Sequence, residues 1–525
     1  MSSQDSQDIE TATTAIIESA PDTKTRRYDR QLRLWATTGQ SALESSRILL
    51  ISGSATSTSI LKNLVLPGIG HFTILDHAKV SHSDAGNNFF LEGYNSIGKS
   101  RAEEAVQLLS ELNDGVEGRA DTRTLESILE SHPEWITSFT IVIAHNLDHT
   151  LLNKLSVLLW KDSKYPPLVV VRSAGFLADF YIQFHEHTII ESHSETSPSL
   201  RIDKPFPALR EHALSLEFDK MDSTEHGHIP YVVILVRALE DWKKSHGGSP
   251  PTSHEERQQF KKGVRDMKVK DDEENFDEAE AQAYRCWTET KIPSEITKLF
   301  SDPALSTEAL DSSRSPFFHL LAALKEYTEQ SDTHTLPLTS TLPDMKSDTH
   351  NYIHLQRLYK TRAEEEKQTF KSYLRVPVDD GIVDSFVKNA HALVVLRGKP
   401  WGTFDQDKAA LVDSLSTMPK ETCIHLALSA LSLLQASDTS VSPSAESIRA
   451  KIHSIVGQST ELPVEADDAI EEIARAPFSE LPNTAAFLGG MVAQEVIKMV
   501  TKQYVPVKGY CVIDLIETWT GTIGA

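Results

Sequence analysis

Residues Ile48–Asp76 read ILLISGSATSTSILKNLVLPGIGHFTILD. The apolar run Ile48–Ile51 is short and bounded by small residues, as a buried parallel strand is. Ser54–Leu66 has helical spacing, with Ile60, Leu61, Leu64 and Val65 on one face, and Pro67-Gly68 ends it. Phe72–Leu75 is a second strand, followed by the acid Asp76. Strand, turn, helix and strand make a βαβ unit of the nucleotide-binding kind. Its turn holds one glycine, Gly53, so the frame is present without the residues that let backbone approach phosphate.

Outward from this unit, Ser96–Leu112 reads as a capped helix ending near Asn113-Asp114-Gly115. Thr140–Ala144 and Leu168–Val171 are further strands, separated by a helix over Leu151–Trp160, and Phe180–Phe184 is a candidate for one more. This alternation predicts an α/β fold, a doubly wound parallel sheet over about the first 170 residues. Beyond it the pattern is mostly helical, with Ser/Pro/Gly-rich loops, to about residue 476. The last fifty residues return to an α/β pattern. A helix over Ala485–Lys502 has a small-residue face (Ala486, Gly489, Gly490, Ala493), and a strand over Tyr510–Ile513 would rejoin the sheet. The expected organisation is a disordered tail over 1–24, a first sheet segment over 25–172, a large helical insert over 173–476 and a closing sheet segment over 477–525.

Acidic residues number 75 and basic ones 52, a net charge of −23. That disfavours nucleic acid as a partner and favours basic protein surfaces. Three widely separated cysteines, Cys286, Cys423 and Cys511, point to a reducing compartment, with neither a disulfide framework nor a zinc cluster. No apolar run reaches membrane length, and no membrane role is expected.

Several short patterns fail on context. Gly93–Ser100 (GYNSIGKS) matches a P-loop, but Asn87–Glu92 upstream makes a poor strand, so it reads as the start of an ordinary helix. His350/His354 and His145/His149 have the i,i+4 spacing of zinc ligands but no third ligand, and no metal site is expected. Cys286 lacks any sequence feature that supplies a base.

Taken in order, several stretches resemble the ubiquitin-activating enzyme superfamily. They are Arg27–Trp35 (RYDRQLRLW), Leu61–Gly70 (LKNLVLPGIG), Asp84–Leu91 (DAGNNFFL), Ile97–Glu103 (IGKSRAE), Asp203–His212 (DKPFPALREH), Leu342–Gln356 (LPDMKSDTHNYIHLQ) and Ala485–Gln503 (AAFLGGMVAQEVIKMVTKQ). The resemblance implies a Rossmann-like, ThiF-type adenylation fold with a catalytic-cysteine-like helical insert. Its long middle region favours the neddylation branch over the sumoylation one. Active members carry GxGGxG after the first strand; here those glycine positions fall on Ser52, Ser54, Ala55 and Ser57. An arginine in the segment at Asp84–Phe89 is missing, and His145 stands where a magnesium-binding aspartate is expected. Asp76 survives as a vestige of the ribose contact.

The resemblance therefore implies a catalytically incomplete, regulatory half of a heterodimer. No cofactor is expected on this chain alone; ATP and Mg would sit on a catalytic partner subunit. That partner would adenylate a Rub/Nedd-type ubiquitin-like modifier and carry the thioester, with the conjugating enzyme a further candidate partner. By the same resemblance Arg30 would reach in trans into the partner's ATP site. Asp344, Met345, Tyr352 and Leu355 are expected to face the partner. Such a chain would be cytoplasmic or nuclear. Two rivals remain at this point: a self-sufficient adenylating enzyme for a ubiquitin-like or sulfur-carrier protein, and a dinucleotide-dependent oxidoreductase.

Overall fold

The computed structural model describes residues 23–195, 197–306, 308–311, 313–331, 334–437 and 442–525. The tail expected over 1–24 lies, up to residue 22, outside the described residues. The described chain forms two compact units: one of Ile190–Val394, the other of residues 23–189 together with Val395–Ala525.

The second unit is built on strands β1 (Arg47–Ile51), β2 (His71–Leu75), β3 (Glu117–Asp121), β4 (Ile141–His145), β5 (Leu168–Ala174), β6 (Leu177–Gln183), β7 (Glu186–Ile189), β8 (Val394–Arg397), β9 (Tyr510–Asp514) and β10 (Trp519–Ile523). Eight of them form one sheet in the order β10-β9-β6-β5-β4-β1-β2-β3; β7 and β8 make a separate ribbon. From β3 to β5 the pairs are parallel, as the alternating pattern predicts, and β6, β9 and β10 continue antiparallel. Successive residues of β1 feed opposite faces: Ile48 and Leu50 join one apolar core, Leu49 and Ile51 the other. Both faces are thus buried, which is why the strands read as continuous apolar runs.

On one face the Ala55–Val65 helix packs against Pro482–Thr501. Of the small-residue face predicted for the latter, Gly489 and Ala493 are buried while Ala486 and Gly490 are exposed; the helices meet at Gly489, where a Cβ would collide with the Ser59 hydroxyl. The other face is covered by Pro419–Ser437, Ala445–Val456 and Glu465–Arg475. These last helices lie inside the expected 173–476 insert, yet they belong to the sheet unit; the units divide at 190 and 394 instead. A doubly wound sheet needs a second covering layer, and this chain supplies it from after the insert. A buried polar network fixes that layer. Arg172 pairs with Asp179, and His425 of the Pro419–Ser437 helix bridges Asp179 (2.9 Å) and Asp405 (2.8 Å).

The Arg101–Ser110 helix starts five residues later than Ser96, because Ser100 caps it and Gly93–Ser96 forms a separate 3-10 turn. β3, sequence EGRAD, is a half-exposed edge strand with no apolar pattern to announce it. The N-terminal helix Thr23–Glu44 is kinked at Trp35–Ala36, where Ala36 has φ +54°. Its buried Tyr28 packs against Gly68 and accepts a hydrogen bond from Asn113.

The first unit, Ile190–Val394, is helical around Tyr231–Ser245, whose segment Val232–Val236 is wholly buried. Arg201 and Glu366 form a buried bidentate pair there, at 2.6 and 2.7 Å. No helix among the described residues is long and apolar enough to cross a membrane.

Candidate functional site

The first βα turn lies at the carboxyl ends of the parallel strands, where open α/β sheets take their ligands. β1 runs into Ser52, a non-glycine residue with φ +84°. The turn thus keeps the left-handed backbone that glycine adopts without strain, at a cost of roughly 1 kcal/mol or more for a side-chain-bearing residue. Ser54 then caps the Ala55–Val65 helix, accepting from Ser57 N.

In a phosphate-binding turn the first amides of that helix face the ligand. Here they face the chain's own Glu480. Ala55 N donates to Oε2 and Thr56 N to Oε1, both at 3.1 Å. The carboxylate is largely buried and sits as a two-pronged anion on the positive end of the helix. It is delivered by the segment leading into Pro482–Thr501, which bridges to Gly175 just beyond β5.

The surrounding groups are committed as fully. His145 ends β4, and its ring is buried. Nδ1 lies 2.8 Å from Ser54 Oγ, and Nε2 2.9 Å from Ser173 Oγ. Burial holds its pKa below the ordinary histidine value, so the ring is neutral and both nitrogens are engaged, leaving no lone pair for a metal. Asp76 accepts from Gly53 N at 2.7 Å and Arg101 Nε at 2.6 Å through one oxygen, and from Ala78 N through the other. Arg101 also reaches Asp84 at 3.0 Å. Asn88 donates to Gly53 O and accepts from Thr58 Oγ1. The vestigial set Ser52, Ser54, Ala55, Ser57 and Asp76 is therefore brought together as one cluster, in which Ser54, Ala55, Ser57 and Asp76 are engaged in internal bonds. These residues do not fit a nucleotide phosphate or its magnesium.

Glu480, Arg101, Asn88 and Ser173 were not legible as members of this cluster. Arg101 sits in a quoted stretch without a role. Glu480 lies 424 residues beyond Thr56, and nothing local marks it.

Arg30 stands apart on the exposed face of the N-terminal helix, with no hydrogen bond or ion pair among the described residues. Its neighbours differ: Arg27 is tied to Asp114 and Arg33 to Asp29. The expected partner-facing strip is corrected. Leu355 is fully buried, Met345 and Tyr352 pack on the same core, and the Tyr352 hydroxyl donates to Leu342 O; only Asp344 is exposed. The reason is helical period: Leu355, Tyr359, Glu366 and Phe370 form the inward stripe of Thr349–Lys371.

All three thiols are buried. Burial pushes Cys423 and Cys511 up to about 12 and Cys286 higher still, so none is a thiolate at neutral pH. His354 lies against His212, with ring centroids 4.5 Å apart, and no group of side chains among the described residues is arranged to hold a metal.

A model of the ThiF family matches residues 28–518. The chain belongs to the ThiF family. Within that family it is 34% identical to the NEDD8-activating enzyme E1 regulatory subunit of Xenopus laevis, covering 92% of this chain and 95% of the relative. It is also 34% identical to the NEDD8-activating enzyme E1 regulatory subunit AXR1 of Arabidopsis thaliana, covering 94% of each. The corresponding subunit of Drosophila melanogaster is 33% identical over 95% of this chain and 97% of its own length. These likenesses run through both compact units and bear out the α/β, ThiF-type fold and the assignment to the neddylation branch.

Proposed function

We propose that this chain is the regulatory half of a heterodimeric activating enzyme for a Nedd/Rub-type ubiquitin-like modifier, and that it performs no adenylation by itself. The observation that carries this reading is the pair of helix amides, Ala55 and Thr56, taken by Glu480. A turn whose first two helix amides hold an internal anion does not offer those donors to an α-phosphate. The neutral, doubly bonded His145 supports the same reading on the metal side. The buried, protonated thiols support a thioester carried elsewhere.

On this reading the partner subunit binds ATP and Mg, adenylates the modifier and carries the thioester. This chain supplies the pseudo-symmetric sheet and Arg30, whose exposed guanidinium has no partner among the described residues and can enter a neighbouring site. Place of action is the cytoplasm or nucleus, and the conjugating enzyme is a further partner.

The test is ATP–pyrophosphate exchange with a Nedd-type modifier. The isolated chain gives no exchange, and exchange appears on adding the catalytic subunit. Exchange by the chain alone would overturn the proposal and restore the self-sufficient adenylating enzyme.

A further inference from the structure

We infer that the groove between the Glu465–Arg475 helix and the β9–β10 hairpin docks a linear, basic segment of a partner protein. An apolar side chain of that segment seats on Ile516 and Trp519, and its Lys or Arg side chains pair with Glu465, Asp468 and Glu471. None of the residues lining this groove belongs to the cluster at the first βα turn, and the inference does not depend on the reading of the chain as a regulatory subunit.

The groove has a volume of about 450 Å³ and an apolar lining. Leu177 at the start of β6, Ile424 of the Pro419–Ser437 helix and Ala469 are its buried members. Ile516 and Trp519 of the hairpin complete it, and Ile516 is 56% exposed, although an aliphatic side chain gains by leaving water. The turn fixes it there. Asp514 Oδ1 accepts from the amides of Ile516 at 2.7 Å and Glu517 at 3.0 Å. The chain thus holds an apolar side chain in water, on a rigid turn, beside a groove that has room for another.

Charge selects the occupant. Six carboxylates line the groove against two cations. Lys420 is paired with Glu517 and Arg475 with Glu472, while Asp514 is taken by the turn. Glu465, Asp468 and Glu471 are left, and they make no side-chain hydrogen bond or ion pair among the described residues. Their three-residue intervals span about 9 Å along the helix axis, the length of about three residues of extended chain. The helix dipole accounts for acids in the first turn, which Glu465 and Asp468 are. It gives no help to Glu471, in the second half of the helix. Unpaired negative charge around an apolar lining favours a ligand with positive charge flanking an apolar group, and it repels nucleic acid and anionic lipid. A volume of this size admits a few side chains, as a linear segment presents, and not a folded domain.

The experiment is fluorescence anisotropy on the full chain with a dye-labelled peptide KLRKLR. It should bind saturably at micromolar concentration and weaken as ionic strength rises from about 0.05 to about 0.3 M. The peptide KSRKSR has the same charge and should bind at least about tenfold more weakly, because its serines gain nothing from the apolar lining. Asp468→Lys combined with Glu471→Lys should weaken KLRKLR at least about tenfold, and Ile516→Ser about fivefold. All three positions are exposed, so the variants should keep the wild-type unfolding midpoint within error. Asp271→Lys combined with Asp272→Lys changes exposed acids of the other unit; it controls for overall charge and should leave the affinity unchanged. Absence of saturable binding, equal affinity for KSRKSR, undiminished binding in the Asp468/Glu471 variant or in Ile516→Ser, or an equal loss in the control would each overturn the inference.

Discussion

His425 Nε2, on a fully buried ring, lies 2.8 Å from Asp405 Oδ1. Its other ring nitrogen lies 2.9 Å from Asp179, which is also paired with Arg172; Ser429 and Tyr510 bond to Asp405 from the flanking helix and strand. Burial alone would lower the His425 pKa, but Asp405 and Asp179 outweigh it and raise it. A histidine with a raised folded pKa stabilises fully below its unfolded value near 6.5, and that contribution is lost as pH rises through the folded pKa. Histidines with lowered values act oppositely: burial pushes His187 and His212 down to about 4 and lowers His145. They cost stability as pH falls from about 6.5 toward about 4. Urea midpoints across pH should therefore peak near 6.5, and His425→Gln should flatten the alkaline limb while leaving the acid limb in place.

Gly489→Ala should destabilise the sheet unit by about 1–3 kcal/mol. The added carbon would stand 2.9 Å from the Ser59 carbonyl carbon as well as overlapping its hydroxyl, and backbone cannot swing away as a side-chain tip can. Gly490, with open space around its Cβ direction, is the control: Gly490→Ala should be neutral or stabilising. Denaturant unfolding of the two variants distinguishes them.

Arg30→Ala should leave assembly with the catalytic subunit intact and slow adenylate formation by the complex on the order of a thousandfold, as loss of a trans arginine does in nucleotide hydrolases. Arg33→Ala, removing an arginine already bound to Asp29, should slow it far less. Pyrophosphate release under single-turnover conditions measures both. An unchanged rate for Arg30→Ala removes it from the mechanism.

Cys286→Ala and Cys423→Ala should leave thioester formation on the complex unaltered. Iodoacetamide should label the native chain at least about a hundredfold more slowly than the unfolded chain, since all three thiols are buried and protonated. Loss of transfer in either variant with intact folding would place the nucleophile on this chain.

The parallel half of the sheet was legible because its strands are apolar runs and its helices carry period and caps; Ile48–Asp76 alone specified strand, turn, helix and strand. β3 escaped because an edge strand such as EGRAD has no buried face to announce. The covering helices over 419–475 read as part of the insert because helical period says nothing about which sheet a helix will cover. At the site, replacement of the glycines by Ser52, Ser54, Ala55 and Ser57 was visible in the sequence. What filled the space was not, since Glu480 acts through tertiary distance. The strip at Met345–Leu355 shows the converse failure: apolar residues among polar ones read as an interface, and helical packing turned Tyr352 and Leu355 inward.

The bond between Glu480 and Thr56 spans 424 residues, and β6 remains an open edge until β9 pairs with it from the far end of the chain. At ribosomal speeds of about 5–20 residues per second, that interval is roughly 20–85 s. During synthesis the Ala55–Val65 helix waits with bare amides while β6 stays an unpaired edge, the state most exposed to wrong pairing and to chaperone capture. Shortening the chain before residue 480 would leave a nascent product arrested in that state, so quality control of this protein would be decided by its final segment.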